Sequence, residues 1–343
     1  MRNLLIGLVA AFALAGGAQA AGTKAVKDWL GVCANTGACT AFGFGGEDDT
    51  TGPYLMIHRD AGPAAPVQLT LVNDAGDTQP AADWTLTLDS HAIAGVGPVH
   101  AAGSDAGARA TLTGRPAAAL IAALRNGRSL AFSAGGSEVG AISLAGSAAV
   151  LLWVDDQQGR VDTVTALARP GAKPASAVPA PTPAPLILAA APVNQKGVPD
   201  HAPKGMTKGI ADCDPQSGTP DEIVARLAPG VMLWGPQCES GAYNAVNVFF
   251  IGDEHGKGLK RIRFPEPPGA GQASDDLLFN PGFDPKTQTL TTFSKARGIG
   301  DCGEAASWVW NGRAFQLIAE QVMPACRGVP SDDWPALFVS RQK

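Results

Sequence analysis

Residues 306–318 read Ala306-Ser307-Trp308-Val309-Trp310, then Asn311-Gly312, then Arg313-Ala314-Phe315-Gln316-Leu317-Ile318. Large apolar side chains alternate with small or polar ones on both sides of an Asn-Gly pair, the dipeptide whose backbone suits a tight turn between antiparallel strands. The stretch predicts a hairpin in which a two-residue turn sets Trp310 against Arg313 and Trp308 against Phe315, with the aromatic face carrying the core. Trp84, Trp153 and Trp308 lie in apolar patterns that suit burial, whereas Trp310, beside the turn, is expected to be partly exposed.

The same alternation recurs outward from this hairpin. Residues 246–251 and 259–264 read as strands flanking the polar stretch 252–258, and 290–293 follow a turn at Asp284-Pro285-Lys286-Thr287-Gln288. Thr219-Pro220-Asp221-Glu222 has the form of a capping box and predicts a helix over 223–227. Near the other end, 68–72 and 84–88 are half-buried strand patterns. Pro116 suits a first helical turn before 117–125, with Asn126-Gly127 as the stop. Ser147 is the expected cap of a helix over 148–158, with Gly159 as its stop and 161–168 as a following strand; a hairpin through 155–160 competes with that reading.

Between 169 and 203 nine prolines are interleaved with Ala, Gly, Lys and Val, a composition that favours extended backbone and reads as a semi-rigid linker. Its short apolar run, 186–191, is expected to dock on one domain. The fold class that follows is mainly β with a few short helices (α+β): two disulfide-containing β-rich domains, 21–169 and 209–343, joined by a Pro/Ala-rich linker over 170–208.

Residues 1–20 have the plan of a secretory signal. Met1-Arg2-Asn3 precedes an apolar run to about residue 14, too short to span a bilayer, and Ala18-Gln19-Ala20 offers small residues where a signal peptidase cuts. The mature chain is expected to begin at Ala21, to carry no transmembrane segment, and to work in the periplasm, with secretion as the alternative. Its cysteine usage agrees. All six, Cys33, Cys39, Cys213, Cys238, Cys302 and Cys326, lie beyond the cut, and an even number in an oxidising compartment reads as disulfides. Loop closure favours Cys33 with Cys39, Cys213 with Cys238 and Cys302 with Cys326, leaving a swapped C-terminal pairing open. No Cys-x-x-Cys pair supports a zinc site, and neither a metal nor a cofactor is expected. With 26 Lys and Arg against 31 Asp and Glu, and no basic block, the chain lacks the footprint of a nucleic-acid binder.

Lys27-Asp28-Trp29-Leu30-Gly31-Val32-Cys33 with Cys39-Thr40-Ala41, Ser143-Leu144-Ala145-Gly146-Ser147 through Leu152-Trp153, and Gln158-Gly159-Arg160 with Thr165-Ala166-Leu167 form one half of a familiar pattern. Leu233-Trp234, Gly241-Ala242-Tyr243-Asn244, Gly300-Asp301-Cys302-Gly303 and Cys326-Arg327-Gly328 form the other. The whole resembles domain-of-unknown-function family 1176, exported proteins of Gram-negative bacteria. The first domain is also similar to the invasion-associated locus B proteins, which implies a small β-rich module. Neither resemblance implies a catalytic mechanism.

The sequence carries no Gly-x-Ser-x-Gly elbow, Walker loop, His-Glu-x-x-His helix or EF loop. His58-Arg59-Asp60 has the form of a kinase catalytic loop without its companions and is read as coincidence. Glu47-Asp48-Asp49 reads as a solvated loop, and Asp253-Glu254-His255 as a polar turn. Cys302 could be an activated thiol beside Lys295 and Arg297, but Cys326 makes a structural disulfide the better reading. The binding residues expected are Lys295, Arg297, Asp301, Glu304 and Trp310, polar groups on a disulfide-pinned loop beside an aromatic surface. Lys295 and Arg297 are taken as exposed charges whose loss leaves stability nearly unchanged. The function expected is non-enzymatic binding to an envelope protein or glycan. The alternative, a cell-envelope hydrolase, would be favoured by a cleft holding a buried acid–base pair.

Overall fold

The computed structural model describes residues 21–46, 52–73, 79–105, 107–210, 213, 221–266 and 277–343. Residues 1–20 and the run Glu47-Asp48-Asp49 lie outside them. In the first half, short alternating segments become strands β1 (Gly22–Val26), β2 (Trp29–Cys33), β3 (Cys39–Phe44), β4 (Tyr54–Arg59), β5 (Val67–Asn73), β6 (Ala82–Leu88), β7 (His91–Ala92), β8 (Val99–Ser104), β9 (Gly107–Leu112), β10 (Ser129–Ala134) and β11 (Ser137–Ser143). They form one antiparallel sheet in the order β1-β2-β3-β4-β5-β9-β8-β6-β10-β11, with β7 on β6. The sheet curls until its ends approach, and Trp29 Nε1 on β2 donates to the Ser143 carbonyl at 2.8 Å. Inside the curl lie Leu55, Leu69, Leu71, Trp84, Phe132 and Ile142.

Helix α1 (Gly114–Leu124) buries Ala117, Leu120, Ile121 and Leu124, the spacing of one helical face. Helix α2 (Ser147–Gln157) prevails over the competing hairpin and lies against the first three strands. Its N-cap is Gly146; Ser147 is the first helical residue, and its hydroxyl donates back to the Leu144 carbonyl at 2.8 Å, so the expected side-chain cap is not formed. The strand expected over 161–168 is replaced by turns. Asp155, fully buried, accepts the Leu167 and Ala168 amides at 2.8 Å each and the Arg59 guanidinium at 3.2 Å, so these residues bond to a carboxylate rather than to a neighbouring strand. Gln158 Oε1 joins Arg59 Nε and Arg160 Nε at 2.9 and 3.0 Å. Burial, and then the nearby charge of Arg160, lowers the Arg59 guanidinium to about 10.

The proline-rich segment does not run free. Val178 and Ala202 are buried, and strand β12 (Leu186–Ile187) pairs in parallel with the last strand of the chain. The Ala190 amide donates to the Trp310 carbonyl at 2.7 Å, so the apolar run docks on the second half.

That half contains β13 (Ile223–Ala228), β14 (Val231–Gly235), β15 (Gln237–Ser240), β16 (Ala245–Val248), β17 (Phe250–Gly252), β18 (Lys260–Arg261), β19 (Leu277–Phe279), β20 (Gly282–Asp284), β21 (Thr289–Lys295), β22 (Gly303–Trp310), β23 (Phe315–Met323), β24 (Ala336–Val339) and β25 (Arg341–Gln342). The helix expected over 223–227 is strand β13. Ala225 and Leu227 alternate into the core and the segment pairs with β14, so a period of two and a partner strand override the capping signal. Glu222 accepts the Ala202 amide at 2.9 Å, while Thr219 and Pro220 lie outside the described residues. The strand expected over 246–251 divides at the buried Phe249, its halves entering different sheets, and that over 259–264 contracts to β18.

Strands β20-β21-β22-β23-β24 form the central antiparallel sheet of this half. The hairpin between β22 and β23 has a longer turn than expected. Trp310 pairs with Phe315 and Trp308 with Leu317, because Asn311 Oδ1 accepts the Arg313 and Ala314 amides at 2.9 Å and draws both residues into the turn. Trp310 is buried, not partly exposed.

The disulfides are Cys33–Cys39, Cys213–Cys238 and Cys302–Cys326. A buried cluster spans the two halves: Leu30, Val32, Phe42, Tyr54 and Val72 from the first meet Met323, Val329, Trp334 and Leu337 from the second. Polar contacts reinforce it. Asn35 exchanges bonds with Leu337 and Val339, Tyr54 donates to Asp333 at 2.5 Å, and Arg327 reaches the Gly45 carbonyl at 2.9 Å. No helix among the described residues is long and apolar enough to cross a membrane.

Candidate functional site

The face of β21-β22-β23 that carries the hairpin core continues along the strands to line a cavity of about 120 Å³. Register decides what that face carries. Ala306 on β22 stands between Thr292 on β21 and Glu320 on β23, and Glu304 stands opposite Ser294. Ala306 contributes only a methyl group, which leaves space above the sheet. Strand β19 and the segment holding Phe264 and Glu266 form the opposite wall. Thr292 Oγ1 bonds both the amide and the carbonyl of Phe279, at 3.1 and 2.6 Å, fastening β19 over the face. Trp308 Nε1 donates to the Pro265 carbonyl at 2.8 Å, and its ring lies 5.1 Å from that of Phe264.

Glu320 is the group that distinguishes this cavity. It is 5% exposed, lines the cavity, and has no hydrogen-bond or ion-pair partner among the described residues. Burial first, then the negative charges of Glu304 and Glu266, raise its carboxyl to about 8. It therefore keeps its proton up to about pH 8, well above where a carboxyl ordinarily ionises. The arrangement can offer a proton, or exchange that proton for a cation.

The five residues expected to bind do not form one site. Glu304 lines the cavity. Arg297 and Asp301 are committed to each other: Nε to Oδ1 at 2.6 Å and Nη2 to Oδ2 at 2.5 Å, with Asp301 also accepting the Gly328 amide at 2.7 Å. Burial opposes ionisation of Asp301, yet the bonds from Arg297 and Gly328 outweigh it and hold the carboxyl below its usual range. Arg297 is thus a half-buried structural partner, not an exposed charge. Lys295 lies over the Phe293 ring at 6.0 Å. Trp310 sits six residues from Glu304 along β22, about 20 Å at strand rise, and is enclosed in the core.

Other candidates resolve into structure. Cys302 is in its disulfide. Asp253 Oδ1 accepts the His255 and Lys257 amides at 2.9 and 2.8 Å, and those bonds lower its carboxyl, as a polar turn requires. Arg59, of His58-Arg59-Asp60, belongs to the buried network on Asp155. Among the described residues no group of three or more His, Cys, Asp or Glu is placed to hold a metal ion.

Sequence reasoning missed Glu320, Glu266 and Thr292. Glu320 follows Leu317 by three residues, so strict alternation sends it to the opposite face. A bulge leaves Ile318 unpaired between Leu317, opposite Trp308, and Ala319, opposite Ser307, and the extra residue turns Glu320 inward.

The pattern of the family described as "Protein of unknown function (DUF1176)" matches residues 23–341. The uncharacterized protein YpfG of Escherichia coli (strain K12) is 28% identical over 341 residues, covering 93% of this chain and 93% of that protein. No solved structure matches.

Proposed function

This chain belongs to the DUF1176 family, and we propose that it is an exported periplasmic protein that binds a component of the cell envelope at the Glu304–Glu320 cavity, without turning it over. The observation that carries this reading is the Glu320 carboxyl, buried at the cavity and without a hydrogen-bond or ion-pair partner among the described residues. Burial makes ionisation of such a carboxyl costly, and a ligand site is where such a perturbed group is retained. The disulfides and the leader pattern support export. Thermal-shift screening of envelope glycan fragments, peptides and small polar molecules tests it. At least one class is expected to raise the unfolding temperature of the wild type and to lose that effect in Ser294→Trp, which adds bulk to the cavity lining. A ligand that stabilises both proteins equally, or no ligand in any class, overturns the proposal.

A second reading rests on the same carboxyl. A glutamic acid that keeps its proton to about pH 8 beside two other carboxyls suits a general acid, the role a cell-envelope hydrolase needs. It requires turnover of an envelope substrate that falls at least about a hundredfold in Glu320→Gln; the binding reading requires none.

A further inference from the structure

The cavity is selective about charge. Glu320 is enclosed, has no hydrogen-bond or ion-pair partner among the described residues, and lies near two carboxylates whose charge opposes its ionisation. An anion entering here meets the same repulsion. A neutral donor can bond the carboxyl but does nothing for its charge. A cation alone lets Glu320 ionise and supplies the missing counter-charge, forming the ion pair that the protein leaves half built. Resting on the reading of this cavity as a ligand site, we infer that it takes a compact aliphatic primary ammonium group, whose charge enters among Glu266, Glu304 and Glu320 and whose hydrocarbon lies against Phe264 and Trp308.

Three observations select this class over other cations. The described carboxylates are not disposed as metal ligands. The aromatic rings of Phe264 and Trp308 line the cavity beside the acids and are only 2% and 4% exposed, which suits methylene groups attached to the charge and not a hydrated ion. The volume, about 120 Å³, equals the share of about four liquid waters, enough for an ammonium and a short chain. The inference requires only that Glu320 lack a partner; Glu266 and Glu304 act through their charge.

Exchange of a proton for the ligand gives the test a signature that structural disturbance does not imitate. Butylamine is titrated into the full-length mature protein by calorimetry in two buffers of different ionisation enthalpy, from pH 6 to 9, beside 1-butanol as the neutral match. Nα-acetyl-lysine amide presents the same ammonium on a protein side chain, and tighter binding of one probe identifies the source of the group. Binding of an ammonium should release close to one proton near pH 7, and its affinity should rise up to tenfold per pH unit before levelling above about pH 8. In Glu320→Gln the affinity should drop at least tenfold and the proton release disappear, while the unfolding temperature does not fall. Equal binding of butanol, or unchanged amine binding by Glu320→Gln, overturns the inference. A neutral glycan that binds at this cavity while amines fail overturns it and leaves the ligand-site reading standing; failure of every class removes both.

Discussion

At the scale of single residues, two buried acids behave oppositely. Asp155 is enclosed by donors: two amides and the Arg59 guanidinium. Its removal leaves two arginines buried around Gln158 without their counter-charge, so Asp155→Ala is expected to cost about 3–5 kcal/mol in urea unfolding, whereas Asp60→Ala, at an exposed site, costs under about 1 kcal/mol. Glu320 has no such donors. Because its carboxyl lies near 8 in the folded chain against an ordinary 4.5, the folded protein keeps a proton that the unfolded chain releases, and stability falls as pH rises from about 4.5 to about 8. Each pH unit in that window contributes at most about 1.4 kcal/mol. Glu320→Gln should remove this slope and be the more stable protein at pH 8, as thermal unfolding across pH will read. A wild type and variant with parallel pH profiles would show that Glu320 is ionised in the fold.

At the scale of elements, the loop between β21 and β22 is held by an ion pair and a close backbone approach. Arg297 is joined to Asp301, which is 5% exposed, so Arg297→Ala is expected to lower stability by about 1–3 kcal/mol and Lys295→Ala by a few tenths. Gly303 opens β22 at φ +137°, where an added Cβ would lie 1.9 Å from the Ser294 carbonyl oxygen. Gly303→Ala should therefore cost more than about 1 kcal/mol, measured by the same unfolding. These elements also mark where sequence was readable. Strands β5, β6 and β22 follow from alternation, α1 from its spacing and Pro116, and the disulfides from the proximity of cysteines. The expectations for residues 161–168 and 223–227 fail because local signals cannot register a distant partner, Asp155 in one case and β14 in the other. The cavity was illegible for a related reason: the Ile318 bulge resets the alternation that would have assigned Glu320 a side.

At the scale of the whole molecule, the halves share buried surface around Tyr54, Met323 and Trp334 as well as a connecting segment. Protease nicks are still expected in the exposed parts of 170–208. The two fragments should then co-elute on gel filtration without denaturant, and separate only when it is added. Fragments that part spontaneously would show the shared cluster to be too weak to hold them. The parallel pairing of Leu186–Ile187 with Arg341–Gln342 adds a matter of timing. A polypeptide is made from its N-terminus, so the curled first sheet can be complete long before the second half exists. The Leu186–Ile187 stretch of the proline segment, although made midway, must wait for Arg341 and Gln342 before it can pair. That pairing is thus a late event in the life of the new chain, and a chain lacking residues 341 and 342 would have every large element yet no latch.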